Sequence, residues 1–195
     1  MNFRVARVFA AGAAALLCGG CAVFNPGARI PAAEPFDILG RVLASNDSRA
    51  FSANFRWRHG AADNEIWLMS PVGQTLAYIA ADAGGATLTT ADQQEYRALS
   101  VEGLTRQALG WPLPLAQLQH WIRGGTVPGT AIAAVTRDTQ GRLSLLEQEG
   151  WRIRYVYPET ADAKLPRQLE LTQGDQRIRM VIDERRDEQQ RQDGG

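Results

Sequence analysis

Apolar and polar residues alternate with a period of two through much of the chain. In residues 51–57, phenylalanine, alanine and tryptophan alternate with serine, asparagine and arginine, and residues 151–157 and 177–182 repeat this alternation. One apolar and one polar face predict half-buried antiparallel strands. Residues 65–69 and 74–80 are apolar on both faces, which predicts strands in the centre of a sheet.

Turn-forming sequences separate the predicted strands. Ser70-Pro71-Val72-Gly73 predicts a tight turn, and Glu149-Gly150 and Gly174-Asp175 predict hairpin turns. The glycine pairs at 84–85 and 124–125 also indicate turns. Together these signals predict about nine antiparallel strands.

Helical periodicity is confined to two short segments. Residues 101–109 follow Ser100, a candidate N-cap, and end at Gly110. Residues 115–123 carry apolar side chains on one face, at Leu115, Leu118, Trp121 and Ile122. The order of elements predicts one sheet curling round two helices, as an open barrel with a helical lid. Its interior is either an apolar cavity able to hold an acyl chain or a filled core, and the patterns leave both open.

The first 20 residues have the pattern of a secretory signal peptide. Arg4 and Arg7 are their only charged residues, and the apolar run 8–18 is too short to span a bilayer. The alternative, a buried helix of the mature fold, is disfavoured because the run is not amphipathic. Cys21 follows a glycine pair and resembles the lipidated cysteine of bacterial lipoproteins, although Cys18 occupies the usual leucine position.

The composition of the two ends of the chain indicates the bounds of its domain. Residues 21–35 contain three prolines and predict a lipidated N-terminus with a flexible tether, and residues 184–195 predict a charged flexible tail. One domain of residues 36–183 remains.

The 195 residues have a formal net charge of zero, which argues against a nucleic-acid binder. Two cysteines and two histidines exclude a disulfide scaffold and a cysteine- or multi-histidine-ligated metal site.

The sequence contains no recognisable catalytic motif. It lacks the Gly-x-Ser-x-Gly, phosphate-loop and His-Glu-x-x-His patterns. His59 ends a predicted strand, and His120 faces away from the apolar stripe of the second helix, so both are interpreted as surface or capping residues. The acid pairs Asp63/Glu65 and Glu147/Glu149 lie beside turns and are interpreted as solubilising the hairpin ends. No cofactor, metal or catalytic residue is therefore predicted.

Ordered motifs over residues 36–182 carry a family resemblance. The most specific are Trp111-Pro112-Leu113-Pro114-Leu115-x-x-Leu118-x-x-Trp121-Ile122-x-Gly124 and Gln148-x-Gly150-Trp151-x-Ile153-x-Tyr155. Shorter ones are Phe36-x-x-x-Gly40-Arg41-Val42, Phe55-x-Trp57, Ser70-Pro71-Val72-Gly73, Asp138-x-x-Gly141-Arg142-Leu143, Leu165-Pro166 and Leu169-x-Leu171-x-x-Gly174. In this order behind a lipidation motif, they resemble the LolB family, outer-membrane lipoproteins that receive other lipoproteins from the periplasmic carrier LolA.

The resemblance implies a fold and a function. It implies an unclosed antiparallel β-barrel (a half-barrel) under a helical lid, with an apolar cavity between them that binds the acyl chains of lipoprotein cargo. It implies a monomer, lipidated at Cys21, that faces the periplasm from the inner leaflet of the outer membrane and needs no cofactor. Ala22, where lipoproteins kept at the inner membrane typically have aspartate, agrees with this location.

The resemblance also implies site residues. Val72, between Pro71 and Gly73, takes the place of the apolar tip of a membrane-insertion loop, whereas the turn pattern alone favours an ordinary β-turn. The acyl-chain cavity is expected to draw its lining from Phe55, Trp57, Ile66, Leu68, Leu76, Tyr78, Leu104, Leu109, Leu118, Trp121, Ile122, Trp151 and Tyr155.

Two other classes of function remain open on the sequence. The first is a lipid-anchored periplasmic scaffold or pilot protein with a filled core and no lipid cavity. The second is a periplasmic hydrolase, which would need a nucleophile, an acid and one of the two histidines within hydrogen-bonding distance.

Overall fold

A computed structural model of the chain describes residues 34–110, 112–160 and 162–186. The predicted signal peptide, Cys21 and residues 187–195 lie outside the described residues. Within them are the strands β1 (Phe36–Ser45), β2 (Ala50–His59), β3 (Asn64–Met69), β4 (Thr75–Asp82), β5 (Gly85–Thr90) and β6 (Glu95–Ala98), the helices α1 (Val101–Leu109) and α2 (Leu115–Trp121), and the strands β7 (Ile132–Arg137), β8 (Leu143–Gln148), β9 (Trp151–Val156), β10 (Gln168–Gln173) and β11 (Gln176–Arg186).

The strands form one open antiparallel sheet. Its order is β6-β5-β4-β3-β2-β1-β11-β10-β9-β8-β7, so β6 and β7 are edges that do not pair with each other. The first and last of the described strands, β1 and β11, pair in the middle of the sheet, where Val42 faces Met180. The prediction of a mainly β protein with an unclosed antiparallel sheet is confirmed.

The sheet differs from the prediction in number and position of strands. It contains eleven described strands instead of about nine, and no alternation pattern had located β1, β5, β6 or β7. The edge strands β6 and β7 are largely exposed and therefore lack a clear alternation. The predicted central strands, β3 and β4, lie between the centre and one edge. Residues 184–186 of the predicted tail belong to β11.

Alternation gives the sheet an inner apolar face and an outer polar face. The buried inner residues of neighbouring strands lie side by side, as Ile38 does with Trp57 and Trp57 with Ile66. Residues from both helices, among them Leu104 and Trp121, belong to the same buried cluster. The two helices therefore pack on the inner face, where they cover apolar surface that would otherwise meet water.

Local sequence accounts for the bounds of both helices. The Ser100 hydroxyl accepts a hydrogen bond from the backbone N–H of Gly103, and Gly110 ends α1 in the left-handed region with φ of 90°. Pro114 stands at the start of α2. Residues 122–123 form a turn that ends at Gly124 with φ of 71°, so α2 is two residues shorter than predicted. Neither helix among the described residues has the length and hydropathy needed to cross a membrane.

Candidate functional site

The interior between the inner face and the helices contains most of the residues predicted to line a cavity. Phe55, Trp57, Ile66, Leu104, Leu118, Trp121, Ile122, Trp151 and Tyr155 are buried there. Leu68 is half-buried and packs against this cluster, and nothing is described of the Leu109 side chain. The interior is tightly packed around Leu104, Trp121 and Ile122, which are completely inaccessible to solvent.

Two predicted lining residues, Leu76 and Tyr78, lie elsewhere. Tyr78 is paired with Trp67, and the two rings stack on the outer face with centroids 5.2 Å apart. The Tyr78 hydroxyl donates a 2.7 Å hydrogen bond to Glu65, whose own position in β3 faces outward. Leu76 is 39% exposed. Both residues have the opposite parity from buried Ile79, which places them away from the interior.

Aromatic and polar contacts fix the end of β2. The indole N–H of Trp57 donates to Asn64 Oδ1 over 3.0 Å, and the Phe36 ring meets the Trp57 ring edge-on at 5.0 Å. His59 Nδ1 lies 2.9 Å from the same Asn64 oxygen, and its imidazole packs 5.1 Å from the Phe36 ring. His59 is therefore a buried structural residue, and the interpretation of it as a surface residue is wrong.

Gln148 ties the segment after α2 to the sheet, a role that sequence reasoning missed. Its side-chain oxygen accepts hydrogen bonds from Trp121 Nε1 at 3.1 Å and from the backbone N–H of Val127 at 2.9 Å. Its amide nitrogen donates to the Val127 carbonyl at 3.0 Å and to the Thr130 hydroxyl at 2.7 Å. The available signal was a polar residue at the position of β8 that continues the buried side after Leu146.

Arg185 makes a second polar attachment at the same, C-terminal end of α2. Its guanidinium donates to the carbonyl oxygens of Ile122 at 3.2 Å and Pro166 at 2.8 Å. Burial, with a smaller contribution from neighbouring Arg123, lowers the pKa of Arg185 to about 10. Arg185 and Gln148 thus hold the C-terminal end of α2 and the loop after it against the inner face.

A polar gradient leads from the interior to the surface beside β9. Tyr155 is 5% exposed, and its ring lies 6.4 Å from that of half-buried Tyr157. The Arg142 guanidinium stacks over Tyr157 at 4.3 Å from the ring centroid and is also bound to Asp138. Burial raises the pKa of both tyrosines, so both hydroxyls remain protonated at neutral pH.

The β3–β4 loop projects an apolar side chain into solvent. The Ser70 carbonyl accepts a 2.9 Å hydrogen bond from the N–H of Gly73, which has φ of 84°, and the N–H of Ser70 donates to the carbonyl of Gln74 at 2.8 Å. These bonds close a turn that has Pro71 and Val72 at its tip. Val72 is 82% exposed, so it does not pack on its neighbours.

The outer face carries an open groove of about 980 Å³. It crosses the strands from Pro71 to Val156 and has the apolar Leu43 and Val181 among its lining residues. Two arginines at its border are paired, Arg41 with Asp183 at 2.8 Å and Arg179 with Glu170 at 3.6 Å. The groove is therefore a mixed apolar and charged surface.

Several of the candidate catalytic groups are buried or paired within the fold. His120 is 9% exposed, contrary to the outward orientation predicted for it. Glu65 pairs with Arg58, and Glu147 pairs with Arg152. Within the described ranges, no three His, Cys, Asp or Glu residues are grouped so as to hold a metal ion.

Comparison with known proteins gives one consistent family. The sequence profile described as "Outer membrane lipoprotein LolB" matches residues 34–184. A protein of Chromobacterium violaceum named "Outer-membrane lipoprotein LolB" is 39% identical over 173 residues, covering 86% of this chain and 92% of the relative. Relatives of the same name from Azoarcus and Nitrosomonas europaea are 34% and 38% identical, covering 93% and 77% of this chain and 97% and 72% of their own lengths.

Proposed function

The chain belongs to the LolB family of outer-membrane lipoproteins, and from this premise we propose that it accepts lipoproteins by their acyl chains and inserts them into the outer membrane. The donor is the periplasmic carrier LolA, and the protein acts as a monomer lipidated at Cys21. Residues 1–20 are the signal peptide, and residues 21–35 form the tether to the inner leaflet. The family is not a catalytic one.

One observation carries the proposal: an open sheet presents a largely apolar inner face to two short helices. Burial of an acyl chain against such a face contributes about 0.8 kcal/mol for each methylene group. This gain is non-directional, so one site can accept lipoproteins that differ in their protein part.

Loading requires the helices to move, because the interior is filled. Leu104 and Trp121 occupy the volume that an acyl chain would need. The helices act as a lid that separates from the inner face. During this movement the hydrogen bonds of Gln148 and Arg185 to the end of α2 either break or act as the hinge. When no cargo is bound, the helices and the packed side chains shield the apolar inner face from water.

Delivery to the membrane is assigned to the β3–β4 loop. Val72 is a mostly exposed apolar side chain on a hydrogen-bonded turn. Contact of this tip with the bilayer would bring the loaded protein to the hydrocarbon into which the acyl chains pass. The gain from burying a valine is about 1.5 kcal/mol or slightly more, which suits a reversible contact.

A transfer assay tests the proposal. The chain carrying Cys21→Ala is mixed with a LolA-type carrier loaded with a lipoprotein, and affinity pull-down shows which protein holds the cargo. Cargo moving to the Cys21→Ala chain supports the receptor function. Cargo remaining on a carrier that releases it to an established acceptor contradicts that function.

A scaffold without a lipid site is the second candidate. The dense packing of the described interior favours it, and the outer-face groove lined by Leu43 and Val181 offers a surface for a protein partner. In that case acyl ligands leave the thermal stability of the protein unchanged, whereas a ligand bound in the interior raises it.

A further inference from the structure

The Tyr155 hydroxyl is a buried polar group with no hydrogen-bond partner among the residues that the structure describes. Two other side-chain atoms share this property, the amide oxygens of Gln117 and Gln176, but both residues are partly exposed. Tyr155 is only 5% exposed and faces Leu169, which is completely buried. Leaving such a hydroxyl unpaired costs free energy, which phenylalanine at the same position would avoid.

The surroundings of Tyr155 indicate the kind of group it could bind. On one side are the apolar residues of the inner face, and on the other are half-buried Tyr157 and then Arg142 near the surface. A ligand following this gradient places hydrocarbon inside, a neutral polar linkage beside Tyr155, and its most polar part toward Arg142. A protonated hydroxyl in an apolar environment is best matched by a neutral acceptor.

We propose that the Tyr155 hydroxyl donates a hydrogen bond to the ester carbonyl of a bound acyl lipid. This inference rests on the proposed function. An ester carbonyl accepts hydrogen bonds and donates none, so Tyr155 supplies the missing half of the pair. The same ester occurs in the diacylglyceryl group of a lipoprotein and in membrane phospholipids, and the bond fixes how deeply either lipid enters the interior.

The test compares ester-linked with ether-linked lipids. The full chain carrying Cys21→Ala is titrated with dihexanoyl phosphatidylcholine and with its dihexyl ether analogue, which lacks the carbonyl. A second pair consists of a synthetic S-diacylglyceryl-cysteine peptide and its dialkyl ether. Each titration is repeated with Tyr155→Phe and with the control Tyr78→Phe, which removes a hydroxyl from the outer face.

Tyr155→Phe is expected to raise the Kd of the ester lipid about five-fold and to leave that of the ether lipid unchanged. The thermal midpoint of the empty Tyr155→Phe protein should equal or exceed that of the parent. Tyr78→Phe should change neither Kd. Ester dependence for only one lipid pair supports the inference and identifies the source of the ester as cargo or phospholipid.

Three outcomes would overturn the inference. Equal effects of Tyr155→Phe on ester and ether binding would show that the hydroxyl does not contact the carbonyl, as would no effect on either. A lower thermal midpoint for the empty variant would mean that the hydroxyl has a partner inside the protein. If the parent binds the ether lipids normally in these cases, the proposed function survives; if it binds no lipid at all, both fail.

Discussion

Replacing Gln148 by methionine should destabilise the fold far more than its size suggests. The substitution keeps the side-chain volume but removes the bonds to Trp121, Val127 and Thr130. Two buried N–H donors, the Trp121 indole and the Val127 amide, are left unpaired, each costing about 1–3 kcal/mol. We expect a loss of about 4 kcal/mol in the free energy of unfolding, or about 10 °C in Tm for a domain of this size.

Urea unfolding followed by tryptophan fluorescence measures this loss. The matched control is Gln168→Met, which removes an amide on the outer face that bonds Glu170 and Arg179, and it should change stability by less than about 0.5 kcal/mol. Hydrogen exchange should become faster in α2 and the loop after it, which Gln148 holds against β8. A Gln148→Met protein within about 1 kcal/mol of the parent would refute the reasoning, because bonds to these buried groups would then contribute little.

Three further changes test other parts of the molecule. Val72→Glu should leave folding and cargo receipt intact but block delivery to liposomes, because a charged loop tip entering hydrocarbon costs several kcal/mol. The matched control is Val156→Glu, at a half-exposed valine on β9, and this variant should deliver cargo normally. Normal delivery by Val72→Glu would exclude the loop from the mechanism. Gly40→Ala should cost about 2 kcal/mol or more in chemical denaturation, because its Cβ would lie 2.1 Å from a backbone carbonyl oxygen of β11 and 3.0 Å from the Phe55 ring. An unchanged midpoint would show that the β1–β11 pairing, whose register shifts between Leu39 and Gly40, relaxes freely. Burial, and to a smaller extent the hydrogen bond to Glu65, raises the pKa of Tyr78 to about 12, above the unfolded value of 10. The folded state therefore binds more protons in this interval, and the free energy of unfolding should fall as pH rises from 10 to 12. Tyr78→Phe should make this fall with pH less steep, and an equally steep fall would contradict the shift.

Local sequence was sufficient where short-range chemistry decides the structure. The period-two alternation in β2, β9 and β11 specified which residues are buried, because successive side chains of a strand point to opposite faces. The hairpin at Glu149 and Gly150 was indicated by Gly150, because glycine readily adopts the positive φ, here 76°, that such a turn requires. The capping hydroxyl of Ser100 likewise fixed the start of α1.

The same local reasoning failed where a distant partner defines the environment. Apolar content on both faces of β3 predicted a central strand, but its outward Trp67 is covered by Tyr78 and by the Arg56 guanidinium, 5.6 Å from the Trp67 ring. Tyr78 was expected in the interior as part of the cavity lining that the family resemblance implied. An aromatic residue can be half-buried against neighbours on an outer face, and the alternation alone does not reveal which face is covered.

By itself, the sequence determined the class of fold, the two helices, the turns and the motifs that identify the family, because each depends on residues close together in the chain. Only the tertiary structure decided that β1 pairs with β11 in the middle of the sheet, that Gln148 reaches Trp121 across 27 positions, and that the Tyr155 hydroxyl is buried without a partner among the described residues. Contacts between residues so far apart in the chain depend on how the whole chain buries its apolar surface. Periodicity therefore predicts which face of each strand is buried, but not which distant residues meet there.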